Sequence, residues 1–139
     1  MNPAQSLLVS SWLALQHARR RNKSSPEREE LSWATGKVWE MCNSSPDEAW
    51  EFIVAAWCAD QSPVIAENLS AGPLEDLLAK HGDRVIDRVE TEARKNPSLS
   101  SLLGGVWRSE IAETVWARVL AIRDRRGWDG IPAANGGKE

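Results

Sequence analysis

At 139 residues, with 42% hydrophobic and 27% charged residues, the chain fits one globular domain that can bury a core without a metal or a disulfide. A formal charge of −3 argues against a protein built to coat nucleic acid or an anionic membrane. Eight tryptophans beside one phenylalanine and no tyrosine are the compositional oddity, and helical periodicity has to sort core rings from interface rings.

The first predicted helix runs from Ala4 to about Arg21, with Ala4, Leu8, Ser11, Trp12 and Leu15 on one stripe. Ser10, Ser11, Gln16 and His17 interrupt its apolar character, and the arginines follow it rather than precede it, so it does not read as a secretory signal. No run approaches the ~18 apolar residues of a membrane span, and a cytoplasmic location is expected. Arg19, Arg20, Arg21 and Lys23 form a basic cluster that complements the helix dipole.

Ser24-Ser25-Pro26 opens a second helix, with Glu27, Glu29 and Glu30 at its positive end and Leu31, Ala34, Val38, Met41 and Cys42 as its buried stripe. Trp33 falls on roughly the opposite face and Trp39 on the flank. Ser45-Pro46-Asp47-Glu48 predicts a capping box for the third helix. That helix is apolar nearly all round, through Trp50, Ile53, Val54 and Trp57 and a second stripe of Ala49, Phe52 and Ala56. Such a helix belongs at the centre of its fold, which makes Trp50 and Trp57 core residues.

Ser62-Pro63 starts a short helix ending near Ala71-Gly72, and Pro73 starts another that carries Leu74, Leu77 and Leu78 to a stop at His81-Gly82. Asp83 is expected to cap the next, in which Val85, Ile86, Val89 and Ala93 face inward, with Arg88–Glu92 and Glu90–Arg94 pairs outside. Asn96-Pro97 opens a short helix through Leu103, and Gly104-Gly105 is a tight turn that folds Val106 and Trp107 back onto the core. A last helix on Ile111, Val115, Val119 and Ile122 runs from about Glu110 to Arg126, with Gly127 as its stop. No β-branched run alternates between turn signals. The expectation is an all-α single-domain bundle of about six to eight helices stacked as helical hairpins, without a sheet. It spans 1–127, with 128–139 as a flexible tail.

Chemistry is sparse. Cys42 and Cys58 lack ligand or redox spacing and read as buried reduced thiols, a disulfide staying open if they face one side. His17 and His81 have no nucleophile or metal motif beside them. His81 with Asp83 and Asp87 could approach a metal, but Asp83 reads as a cap and Asp87 as solvent-facing, so neither metal nor cofactor is expected. Glu75 and Asp76 are adjacent in a first helical turn, where the dipole favours acids and where they project about 100° apart.

Trp50 with Ile53, Ala71-Gly72-Pro73-Leu74-Glu75-Asp76-Leu77-Leu78, His81-Gly82, Ile86, Glu90, Leu103-Gly104-Gly105-Val106-Trp107 and Val115-Trp116 together form a distinctive pattern. In these residues the stretch from Trp33 to Val119 resembles an uncharacterised family of small bacterial proteins, a domain of unknown function. The resemblance implies a helical fold and a bacterial or phage source. It transfers no catalytic residue.

The expected function is binding of another protein, most concretely as an immunity, antitoxin or inhibitor-like protein. Trp33, Trp39 and Trp128 are the candidate aromatic anchors. Asp47, Glu48 and Glu51, with Glu27, Glu29 and Glu30, offer an acidic face to a basic partner. The alternative is a nucleic-acid-associated regulator, in which Arg19, Arg20, Arg21 and Lys23 join Arg123, Arg125 and Arg126 in one patch with Trp128 adjacent. A second alternative is an enzyme with a His81, Glu75 and Asp76 site. Homo-oligomerisation through exposed tryptophan is compatible with each.

Overall fold

A computed structural model of the protein describes residues 2–21 and 25–128. These residues form eight α-helices and one π-helical turn: α1 Pro3–Arg21, α2 Pro26–Leu31, α3 Trp33–Ser44, α4 Pro46–Ala59, α5 Pro63–Leu69, the π turn Ser70–Leu74, α6 Glu75–Lys95, α7 Pro97–Leu103 and α8 Glu113–Ile122. There is no strand among them, so the all-α reading holds. None of the helices is long and apolar enough to cross a membrane.

The core forms where the patterning places it. α4 packs against α1, α3, α5 and α6, and Trp50, Phe52, Ile53, Ala56 and Trp57 are all buried. Trp12 meets Phe52 edge to face at 5.7 Å, which ties α1 to the central helix. The Trp57 indole N–H donates to the Ser98 carbonyl at 3.1 Å, satisfying its one polar atom against α7. In α6, Val85, Ile86, Val89 and Ala93 are buried against α3, α4 and α8.

Helix starts follow local chemistry. Asn2 and Gln5 cap α1 reciprocally: the Gln5 N–H donates to Asn2 Oδ1 at 2.8 Å and the Asn2 N–H to Gln5 Oε1 at 2.9 Å. Ser25 caps α2 and Asn96 caps α7 through their side chains. Ser45 does not act as the expected cap of α4. Its backbone N–H closes α3 on the Met41 carbonyl at 2.8 Å, and its side chain makes no capping bond. A one-residue connection makes Ser45 serve the end of α3 instead.

Five boundaries differ from the sequence reading. The predicted second helix is broken at Ser32, whose hydroxyl and N–H both bond back to the Glu29 carbonyl and compete with the α ladder. Gly72-Pro73 does not divide two helices. Pro73 has no N–H to donate, and the wider π turn absorbs it, so the helical path continues from α5 into α6. The stop expected at His81-Gly82 is a kink within α6, with His81 at φ −138°, ψ 31°. α8 is shorter than predicted at both ends. The Asp124 N–H bonds to the Ser100 carbonyl at 2.9 Å, which draws the chain after Ile122 onto α7 in extended form. Gly127, at φ 95°, belongs to a later turn.

Two side-chain expectations also change. Val106 is buried, but Trp107 is 66% exposed and does not join the core. Cys42 is buried and Cys58 exposed, and both are free thiols. Burial first, then the Asp76 charge, push the Cys42 thiol up to about 12 against a smaller opposing pull from Lys80. Iodoacetamide near neutral pH is therefore expected to alkylate Cys58 and spare Cys42 in the folded protein, read as one mass addition on the Cys58 peptide. Equal labelling of the two would contradict the packing of α3 on the π turn, where Cys42 Sγ lies 3.5 Å from the Pro73 carbonyl.

Candidate functional site

The α1 stripe buries Leu8 and Val9, which leaves their neighbour Leu7 pointing off the core and 57% exposed. Trp33, opposite the buried Ala34–Val38–Cys42 stripe of α3, is 46% exposed. Leu7 of α1 and Trp33 of α3 line a cleft of ≈ 420 Å³. Its floor includes Leu8, Val9, Met41 and Phe52, and its rim carries Glu40, Glu48, Glu51 and Lys37. Lys37 lies 3.2 Å from Glu40, and Arg88 of α6 lies 3.8 Å from Glu51. The cleft therefore combines an apolar interior with a net acidic rim.

Of the nine anchor and acidic candidates, the structure brings three together, Trp33, Glu48 and Glu51, while Glu27, Glu29 and Glu30 do not line this cleft. Asp47 turns to α6 instead and accepts from Arg84 Nη2 at 2.7 Å and Nε at 3.3 Å. The Arg84 hydrogen bond, outweighing some desolvation, holds the Asp47 carboxyl below its ordinary range. Its role in this geometry is to join α4 to α6. Trp39 is 58% exposed, with Lys80 Nζ 6.0 Å from its ring centre, and lines a separate groove with Arg19, Gln16 and Asp76. Trp128 donates its indole N–H to the Ser101 carbonyl at 2.8 Å and is half-buried, and the rest of the expected tail, 129–139, lies outside the described residues.

The basic candidates are tied down to different degrees. Arg20 lies 3.8 Å from Glu67, and Arg21 pairs with Glu27 at 2.9 Å. Arg123 lies over the Trp116 ring at 5.3 Å, where burial and then the Arg125 charge lower its affinity for a proton. Arg126 grips Asp124 through Nη2 at 2.8 Å and Nε at 2.9 Å. Glu67 connects the two groups, since it pairs with Arg20 and lines a cleft with Arg125. Lys23 lies outside the described residues.

His81, Glu75 and Asp76 each have a different neighbour. His81 Nε2 lies 2.6 Å from the Asn43 carbonyl, which can only accept, so this nitrogen carries the hydrogen and bonds across to α3. Glu75 Oε1 accepts from the Trp107 backbone N–H at 3.4 Å, and Asp76 lines the Trp39 groove. Among the described residues no group of three or more His, Cys, Asp or Glu side chains could hold a metal ion. Asp87 accepts from Arg118 at 2.5 Å.

The signature of a family of unknown function, DUF6869, matches residues 21–127. The chain belongs to this family. The match takes in α2 through α8, and with them both distinctive segments, while most of α1 lies before it. Neither a curated protein nor a solved structure shows significant similarity to this DUF6869 member.

Sequence reasoning missed Leu7, Lys37 and Glu40. Leu7 was legible in part: adjacent to Leu8, it lies about 100° from the stripe and must point elsewhere. Lys37 and Glu40 carry no local signal. They matter only because α1 and α4 bring apolar side chains to the same face of α3.

Proposed function

We propose that the protein acts in the cytoplasm by binding another protein, as an immunity, antitoxin or inhibitor protein of bacterial or phage origin. The observation that carries this reading is the cleft between α1, α3 and α4, where exposed Leu7 and Trp33 stand beside Glu40, Glu48 and Glu51, with Lys37 as the one basic residue among the described residues of the lining. The occupant it suits is a basic amphipathic helix of the partner. Apolar residues of that helix would cover Leu7 and Trp33, and its lysines or arginines would meet the carboxylate rim. A tryptophan at such a position serves as an anchor because it buries a large rigid surface at small entropic cost. A net charge of −3 favours encounter with a basic partner in the same sense.

The test is recovery of the partner from the native host, its identification by mass spectrometry, and titration of the purified pair. Trp33→Ala is expected to weaken binding by about 30-fold, the scale of a 2 kcal/mol anchor, with its melting temperature unchanged. Glu48→Gln is expected mainly to slow association and reduce its salt dependence. A partner that holds Trp33→Ala as tightly as the wild type would sink the reading. So would a Trp33→Ala variant that fails to fold, because Trp33 would then be a core residue.

A further inference from the structure

Two adjoining clefts lie outside the acidic one and share no lining residue with it. The first, ≈ 350 Å³, is where the two distinctive segments of the chain meet: Ser70 and Ala71 line one side, Gly105 and Trp107 the other, and Trp128 closes it. Trp128 is fixed there by its bond to Ser101 and by the absence of a side chain on Gly105, since a Cβ at that position would lie 2.4 Å from Trp128 Cη2. Trp107 is the most exposed large apolar residue among those described, held at its backbone by Glu75. The second cleft, ≈ 430 Å³, is lined by Arg123, Arg125 and Arg126 with Asp124, Ser100 and Pro97. Arg125 belongs to both.

An exposed indole next to an arginine groove suits a ligand that is both planar and anionic. A planar base stacks on the indole face, and a phosphate takes charge-assisted hydrogen bonds from guanidinium forks. Each cleft falls in the size range of small-molecule sites. Of the described carboxylates nearby, Asp124 is engaged with Arg126, Glu67 with Arg20 and Glu75 with the Trp107 backbone. Among the described residues that line the second cleft are three arginines and one carboxylate, on a chain that is acidic as a whole. We propose that the two clefts form one nucleotide-binding site, with the base against Trp107 and the phosphate among Arg123, Arg125 and Arg126. The nucleotide is either free or part of a single strand.

Fluorescence anisotropy of the full chain with a short labelled oligodeoxyadenylate, alongside calorimetry with AMP, tests this. Binding is expected to weaken with salt, with a log–log slope of about −0.7 per phosphate contacted. Trp107→Ala is expected to weaken it about tenfold, Trp107→Phe much less, and Arg125→Gln to flatten the salt slope by about one contact. Trp33→Ala should bind as the wild type, which separates this site from the acidic cleft. Competition by AMP supports the free nucleotide as ligand, and binding of the strand alone supports a strand-binding site. Absence of binding by both at low salt overturns the proposal, as does binding that Trp107→Ala and Arg125→Gln leave unchanged. If Trp107→Ala does not fold, Arg125→Gln and its salt slope decide the matter.

Discussion

Trp57→Ala is expected to destabilise the protein by about 3–5 kcal/mol, the range for removing a buried tryptophan from a packed core. Trp57 is 5% exposed near the end of the central helix, and its side chain spans from α4 to the start of α7. Truncation removes its dispersion contacts and leaves a void that α4 cannot fill, because Ile53 and Ala56 beside it are already packed. It also takes the indole donor from the Ser98 carbonyl, which Trp57→Phe would isolate at about 1 kcal/mol plus the lost volume. Urea unfolding followed by circular dichroism measures the loss as a shift in midpoint at constant slope. Trp39→Ala makes the comparison sharp. That ring is 58% exposed, and its truncation is expected to stay within about 0.5 kcal/mol. Comparable losses at the two positions would mean that the separation of core and surface tryptophans is wrong.

That separation is readable for some rings and not for others, and the difference is physical. Trp50 and Trp57 sit on a helix whose local pattern is apolar nearly all round, so any fold of the chain must bury them. Trp33 is legible for the opposite reason, standing against a strong stripe on its own helix. Trp107, two residues after Gly105, and Trp128, directly after Gly127, lie outside any helical period, so periodicity has nothing to say about them. Their positions depend on where the chain after Ile122 returns, which is set by the Asp124–Ser100 and Trp128–Ser101 hydrogen bonds. Charge pairs divide in the same way. Glu90–Arg94 is local and expected, and it exists at 3.9 Å. Arg88 does not choose Glu92, because Asp47 and Glu51 on the neighbouring α4 come within 3.8 Å of it. Glu90 itself is shared with Arg118 of α8 at 2.6 Å. For the acidic cleft, local patterning supplies Trp33, Glu48 and Glu51, while the convergence of α1 upon them is a tertiary fact.

Gly104→Ala is the second large effect, expected to cost about 2–3 kcal/mol, and the reason lies in space rather than conformation. Gly104 has φ −60° and ψ −22°, which alanine adopts freely. On backbone grounds alone the substitution should stabilise the fold by about 0.4–1 kcal/mol, by restricting the unfolded chain. A Cβ there would lie 2.0 Å from the Asp124 carbonyl oxygen, 2.8 Å from its carbon and 3.1 Å from Arg125 Cα. All three are backbone atoms, so no rotamer change relieves the overlap. The segment from Arg123 to Trp128 has to lift, which strains the Asp124–Ser100 bond and withdraws Trp128 from Ser101. Gly36 in α3 is the matched control. A Cβ on Gly36 would meet nothing within 4 Å, and Gly36→Ala is expected to stabilise the protein by about 0.5–1 kcal/mol. Opposite signs at the two positions would establish that the Leu-Gly-Gly-Val-Trp segment is a docking seat for the chain after α8. Because Arg125 and Trp128 ride on that chain, Gly104→Ala should also weaken nucleotide binding while leaving the Trp33 cleft intact. Stabilisation by Gly104→Ala would place the return segment elsewhere, and the paired clefts would go with it.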